Sequence, residues 1–294
     1  MGKWRVLLRR KNTERLITLK DQFSLAHLTA LACPPPKLTY IAARAGFDFV
    51  SIRPICMGLK NEPNYNLASN RKMLRQTKTA LRETGIQVLD IELAKIVDGM
   101  DPKQYEPAFE VGAELGARHV LCSVWTNDLV FATERFIQLC ELAKTYQLTI
   151  ELEFVPVASV ATLEQAVSML STAAQDNAGL MIDSHHFHRS KENVSDIKGI
   201  PAEWFHMFHL CDASKEIPAS KEQMIKIMRE ERLYIGEGGV PIKEILREIP
   251  KIPYSLEIPH LQRAKELGFE EYARRCLLSA KEYISLNLDD VNIY

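Results

Sequence analysis

The chain has 294 residues, 46% of them hydrophobic and 26% charged, and its formal net charge is -1. This is globular composition, and a near-neutral balance speaks against a nucleic-acid binder, which normally carries a basic domain. There is no apolar run long enough to cross a bilayer and no signal peptide, so a cytoplasmic protein is expected.

In chain order, the first twenty residues carry Lys3, Arg5, Arg9, Arg10, Lys11, Arg15 and Lys20 against Glu14 alone. Residues 1–20 read as a basic extension, with the runs WRVLL and RLITL able to form a short hairpin over a barrel floor. From residue 21 onward, β-prone runs alternate with amphipathic segments. The strand FSLAHL (23–28) leads to the helix KLTYIAARA, closed by Gly46. The strand FVSIR (49–53) precedes a polar loop, and a helix then runs from about Asn70 to Thr84, stopped by Gly85. A strand at 86–92 ends on Glu92 and is followed by a helix over 101–116. HVLCSV (119–124) leads past Trp125 into a helix that Thr126–Asp128 can cap. TIELEF (149–154) is the fifth strand, and the apolar spacing predicts a helix over 157–173. GLMID (179–183) is a strand, 195–204 a short helical connection, and FHMFHLCD (205–212) a strand. After a charged stretch, 240–249 is a helix with proline in its first turn. YSLEI (254–258) is the last strand, and 266–286 a closing helix.

About eight strand–helix repeats with no Gly/Ser or Pro-rich linker predict an α/β fold, a single (β/α)8 TIM barrel over residues 21–294. A doubly wound open sheet would offer a glycine-rich loop after its first strand, and the loop here reads TALACPPPK. The cysteines, Cys33, Cys56, Cys122, Cys140, Cys211 and Cys276, form no C-x-x-C pair and read as reduced, mostly buried thiols.

Four late strands end in a metal-ligand type: Glu153, Asp183, His209 and Glu257. The C-terminal rim is where a barrel holds its chemistry. Three carboxylates and an imidazole suit one divalent cation, Mn²⁺, Mg²⁺ or Co²⁺ rather than zinc. Alternation along the strand puts Glu151 on the face of Glu153 but one layer deeper, where a buried carboxylate needs a partner. His186, placed in the loop after Asp183, is positioned to meet substrate or relay a proton. Arg53, Glu92, Trp125 and Arg232 are candidate substrate contacts; an ion pair of Arg53 with Glu92 or Glu153 is the competing reading for Arg53. His27 reads as a satisfied core histidine, His119 as a floor residue, and His185, His188 and His206 as orienting or surface groups. The glycines after Arg232 allow a tight turn shaping the mouth.

The segments LEFVP, MIDSHHFHRS, FHLCDAS, R-x-x-x-G-E-G and LEIPH, in that order, resemble the xylose isomerase-like TIM-barrel superfamily, in its branch of sugar phosphate isomerases and epimerases. The resemblance covers the chain beyond about residue 20. It implies that Glu153, Asp183, His209 and Glu257 bind one divalent metal, that the two glutamates move protons, and that His186 contacts substrate.

The resulting expectation is a metal-dependent isomerase or epimerase of a sugar, sugar phosphate or related hydroxy-ketone. Its expected partners are a small carbohydrate-like molecule and, at most, a second copy of the chain. A dehydratase of a cyclic polyol ketone such as inosose or 3-dehydroshikimate is the alternative within the same chemistry. A metal-dependent nuclease and a non-catalytic metabolite-binding barrel are the alternatives outside it. The nuclease members build a multi-zinc site with extra early-strand histidines, where this chain has Arg53 and Glu92.

Overall fold

A computed structural model describes residues 20–58 and 62–288. The basic extension expected over 1–20 therefore lies outside the described residues, except for Lys20. The strands are β1 (Phe23–Leu25), β2 (Phe49–Ile52), β3 (Gln87–Ile96), β4 (His119–Val124), β5 (Thr149–Glu153), β6 (Ala178–Asp183), β7 (Phe208–Leu210) and β8 (Tyr254–Leu256). Each pairs in parallel with the next, and β8 pairs with β1, so the sheet closes. The outer helices are α1 (Pro35–Ala45), α2 (Arg71–Thr84), α3 (Glu106–Glu114), α4 (Leu129–Thr145) and α5 (Leu163–Ala173), followed by α6 (Ser184–Arg189), α7 (Lys221–Glu230), α8 (Ile242–Glu248) and α9 (Leu261–Asn287). This is the single (β/α)8 barrel that the alternation predicts.

Local chemistry sets most of the ends. Gly46 and Gly85 close α1 and α2 with φ of 92° and 73°, a conformation that L side chains resist. Asn70 and Asp128 cap α2 and α4 through their side chains. Thr162 and Gln165 form a reciprocal capping box on α5. That box starts the helix at Leu163 rather than at 157, because Val155 N–H bonds Val160 O and closes the intervening residues into a turn. The first strand is shorter than expected: His27–Ala30 makes a 3-10 turn, anchored by Thr29 Oγ1 donating to Leu256 O at 2.7 Å.

Three further departures matter for the site. β3 runs on to Ile96, past a register shift against β4, so Glu92 lies inside the strand instead of ending it. The segment after Asp183 is not a loop: the Asp183 carboxylate accepts from the N–H of His185 and His186 at 2.7 and 3.2 Å and starts α6. The charged stretch after β7 contains α7, capped by Ser220. Its polar face is so wide that only Met224, Ile225 and Met228 mark the buried side.

Alternation fixes what points into the barrel. Ser51 Oγ lies 3.4 Å from Ser24 Oγ and 3.5 Å from Ser255 Oγ; β2 and β8 are not neighbours, so these groups meet across the lumen. Glu151 is fully buried near the floor, where Oε1 receives His206 Nδ1 at 2.9 Å and Thr149 Oγ1 at 2.7 Å. His119 Nδ1 is 3.0 Å from the same oxygen, and the two imidazoles stack with centroids 5.3 Å apart. Burial would raise the Glu151 pKa, but the two histidines lower it to about 2. Gly179 on the neighbouring strand makes room for the cluster, since any Cβ there would overlap Glu151 Oε2. The partner that Glu151 needs is therefore this histidine pair. All six cysteines are free, five of them buried and Cys56 exposed. Among the described residues no helix is long and apolar enough to cross a membrane.

Candidate metal centre at the barrel mouth

The register of the last four strands brings the four candidate ligand side chains together. Glu153 is level with Met181, so Asp183 stands two residues beyond it on the same face of β6. Asp183 is level with His209, and His209 with Ser255, which places Glu257 two residues further on. All four positions share the inward parity of their strands. His209 Nδ1 lies 3.3 Å from Glu153 Oε1, 3.8 Å from Asp183 Oδ2 and 3.7 Å from Glu257 Oε2. His209 sits in the middle of the short β7 rather than at its end, yet it reaches the same point as the others.

Glu153 Oε1 and both ring nitrogens of His209 are buried and make no well-aligned hydrogen bond. Buried orphans of this kind are rare and call for a partner. Ligands about 2.0–2.3 Å from a central cation stand about 3–4 Å from one another. The observed spacing is of that size, and one ligand atom from each of Glu153, Asp183 and His209 lies within a 4.8 Å set. An imidazole with three carboxylate oxygens is a donor set for a divalent cation, so these residues fit the group the resemblance implies.

Asp183 and Glu257 are also tied to Arg232, which is fully buried. Arg232 Nη1 lies 2.5 Å from Asp183 Oδ2, and Nη2 lies 2.9 Å from Glu257 Oε2. Its Nε donates to Met228 O at 2.8 Å and Nη1 to Glu257 O at 3.1 Å. Each carboxylate oxygen has two lone pairs and can serve an arginine and a cation together. The glycine turn after Arg232 wraps the Asp212 carboxylate, which accepts from the N–H of Gly236, Gly238 and Val240 at 2.9–3.2 Å. Arg232 is thus one rigid member of the cluster's frame and not a free cation at the mouth.

Arg53, just past β2, is likewise engaged. Its Nη2 meets Glu92 Oε2 at 2.6 Å, and its Nη1 is 3.8 Å from Glu62. Of the two pairings expected for Arg53, the one with Glu92 forms. The Arg53 backbone N–H also donates to Nδ1 of the buried His27 at 2.9 Å, and His27 Nε2 is 2.9 Å from Cys33 O. His27 is the satisfied core histidine expected, and burial lowers its pKa to about 4. His186 Nε2 is 4.0 Å from both Glu153 and Asp183, at the edge of the cluster. Trp125 forms a wall of the mouth, its Nε1 donating to Ser123 Oγ at 2.8 Å. The cavity above the cluster is lined by Arg53, Trp125, Glu153, His186, Arg229, Arg232 and Glu257, with Leu28, Leu93 and Met228 among its apolar surfaces.

Electrostatics reinforce the reading of a cation site. Burial alone would lower the His209 pKa, but Glu257, Glu153 and Asp183 raise it to about 10. Burial pushes Glu257 up to about 7, against the pull of His209 and Arg232. At neutral pH the metal-free protein therefore carries a proton on His209. A metal needs that nitrogen bare. Cation binding is expected to release about one proton above pH 7, and closer to two as the pH falls below 7 and Glu257 also becomes protonated. Calorimetric titration of Mn²⁺ or Zn²⁺ in buffers of different ionisation enthalpy measures this directly; a buffer-independent enthalpy would contradict it.

Two basic residues with no signal in the sequence also stand at this mouth, Lys95 over the Trp125 ring and Arg229 in the cavity lining. Lys95 follows the expected end of β3, and Arg229 lies on α7 inside the stretch without a predicted element. Neither position carried a periodicity signal pointing to the mouth.

A family model described as Xylose isomerase-like TIM barrel matches residues 40–276. The inosose isomerase of Bacillus subtilis (strain 168) is 30% identical over 136 residues, which is 46% of this chain and 41% of that protein. A second inosose isomerase, from Halalkalibacterium halodurans, is 29% identical over 154 residues, 52% of this chain and 50% of that protein. The chain thus spans about half the length of the curated relatives it matches. Among solved structures, the IolI protein with a bound zinc atom superposes with a TM-score of 0.77 at 20% identity, covering 91% of this chain and 99% of that one. Identity at that level speaks for the fold.

Proposed function

The chain belongs to the xylose isomerase-like TIM-barrel family, and from that premise we propose that it is a divalent-metal-dependent isomerase or epimerase of a small, sugar-like hydroxy-ketone. The observation that carries this reading is the convergence of Glu153, Asp183, His209 and Glu257 on one point above the barrel, with buried ligand atoms left unpaired. In this reading those four residues hold the cation, which is Mn²⁺, Mg²⁺ or Co²⁺ by its donor set. The zinc of the IolI structure makes Zn²⁺ part of the test.

The chemistry a bound dication supplies is Lewis acidity beside a carbonyl and its neighbouring hydroxyl, which acidifies the C–H between them. Glu153 and Glu257 approach from β5 and from beyond β8, with β6 and β7 between them, so they face a substrate from different sides. One carboxylate takes the C–H proton and the other returns one. Return to the same carbon from the opposite face epimerises it; return to the neighbouring carbon moves the carbonyl. His186 orients the substrate hydroxyls, and Trp125 with Leu93 and Met228 keeps water from the reacting carbons. Asp183 and His209 bind without moving protons, Asp183 being fixed by Arg232 and by the start of α6.

The test is incubation of metal-loaded protein with inososes, ketohexoses and ketopentose phosphates in D₂O. Deuterium entering carbon beside the carbonyl, with conservation of water, is the expected result. An enone absorbance with loss of water would identify a dehydratase instead, and no exchange with any of these in protein shown to hold metal counts against the enzyme reading.

A further inference from the structure

Two basic side chains at the mouth have no carboxylate within ion-pair distance among the described residues, and Glu62, the acid that faces both from farther off, is shared with Arg53. Lys95, next to last in β3, lies with Nζ 4.5 Å over the Trp125 ring. Arg229, near the end of α7, lines the same cavity. Both are about half-buried, and among the described residues neither makes an ion pair or a side-chain hydrogen bond to a carboxylate. Nearby Glu62 is shared with Arg53, at 3.8 Å, and with the N–H of Met57, at 2.9 Å. Burial lowers the Lys95 pKa and Arg229 adds to that, while burial lowers that of Arg229 and Arg53 adds to it; Glu62 opposes both shifts without reversing either. Three cations therefore share one side of the opening with two carboxylates, Glu92, which Arg53 takes at 2.6 Å, and Glu62, which stands among all three, so one positive charge is in excess. Half-buried like charges in excess of the acids beside them cost stability, and an anion from outside relieves that cost.

We propose that Lys95 and Arg229, backed by Arg53, form a subsite for a compact anionic group, phosphoryl or carboxylate, on the part of the substrate that points away from the metal-ligand cluster. Arg229 offers a planar fork and Lys95 a point charge, the pair of donors that grips such groups. Trp125 carries the Lys95 ammonium over its ring and also lines the cavity above the cluster, so the substrate's carbon chain has a wall leading from the cluster to the subsite. The inference rests on the reading of this mouth as a substrate site, and it narrows the substrate class to hydroxy-ketones with a terminal anion.

Binding of inorganic phosphate to the EDTA-treated full-length protein, measured calorimetrically at fixed ionic strength, tests it without turnover and without a metal to capture the phosphate. The expected result is saturable binding that weakens about tenfold in each of Lys95→Met and Arg229→Met and more in the double variant. Metal uptake should be retained and the melting temperature retained or raised, since both side chains are half-exposed and each substitution removes one of the crowded charges. Acetate in a parallel arm separates the sources: preference for phosphate identifies a phosphoryl group, preference for acetate a carboxylate. Wild-type protein that binds neither, or binding that both variants keep, overturns the subsite. Phosphate binding in a protein that exchanges no deuterium would leave the subsite standing and remove the isomerase reading, so the two can fail separately.

Discussion

Replacing Glu153 by glutamine is expected to lower substrate-dependent proton exchange by about 10²- to 10⁴-fold, the usual worth of a positioned general base. The substitution keeps shape and removes one charge. Glu153 Oε1 makes no well-aligned hydrogen bond in the metal-free protein, so little native bonding is lost. What changes is the neighbourhood of His209: one of three carboxylates facing its Nδ1 is gone. Its pKa is expected to fall toward neutrality. Stability at pH 7 should stay within about 1–2 kcal/mol of wild type. Two measurements separate the proposed roles of Glu153. Metal content by mass spectrometry reports its share in binding, and exchange at saturating metal reports its share in proton transfer. Full exchange activity in the metal-loaded variant would remove Glu153 from the chemistry. The same substitution at Glu257 should behave alike but cost stability as well, because Glu257 is held by Arg232.

How far the sequence led can be judged from these residues. The convergence of Glu153, Asp183, His209 and Glu257 was legible because each follows an apolar β-prone run in a chain with barrel periodicity, and the rim of a barrel is set by strand ends. The position of Glu151 below Glu153 followed from alternation alone, and its need for a partner from the cost of a buried charge. The identity of that partner did not follow. His119 and His206 are 87 residues apart in sequence and meet only when β4, β5 and the approach to β7 are adjacent in space. For Arg53 the sequence left two readings open, a substrate contact or an ion pair with Glu92 or Glu153, and the pair with Glu92 forms. The pairing of Arg232 was hidden: it looked like a mouth cation, but Asp183, which starts α6, stands beside it and takes it first. The cations left over, Lys95 and Arg229, sit where local pattern is weakest: past a register shift in one case, and on a helix with a narrow apolar edge in the other. Periodicity reports which face of an element is buried. It does not report which charges meet across elements.

Arg232→Met is expected to destabilise the metal-free protein by about 3–5 kcal/mol, the cost of leaving a buried ion-pair partner uncompensated. Arg232 stands between Asp183 and Glu257, at 2.5 and 2.9 Å, and is itself 1% exposed. Methionine fills much of the volume, so the loss reads out charge rather than a cavity. Without the guanidinium, three carboxylates face a single imidazolium. The sign with pH follows. Glu257 is already pushed up to about 7 by burial, and removing Arg232 raises it further. A carboxyl whose folded pKa exceeds its unfolded value costs stability as pH rises above the unfolded value. The deficit should therefore be small near pH 4, grow with pH, and level off only above the folded pKa. Urea unfolding at a series of pH values measures it. The cation gives the second arm. Metal that binds the folded state alone stabilises by mass action, and in the variant it also neutralises the charge Arg232 balanced, so added Mn²⁺ or Zn²⁺ should recover more stability there than in wild type. A deficit that ignores both pH and metal would mean that Arg232 holds α7 and the segment after β8 by its bonds to Met228 and Glu257 carbonyls alone, and that the carboxylates above the barrel are not an electrostatic unit.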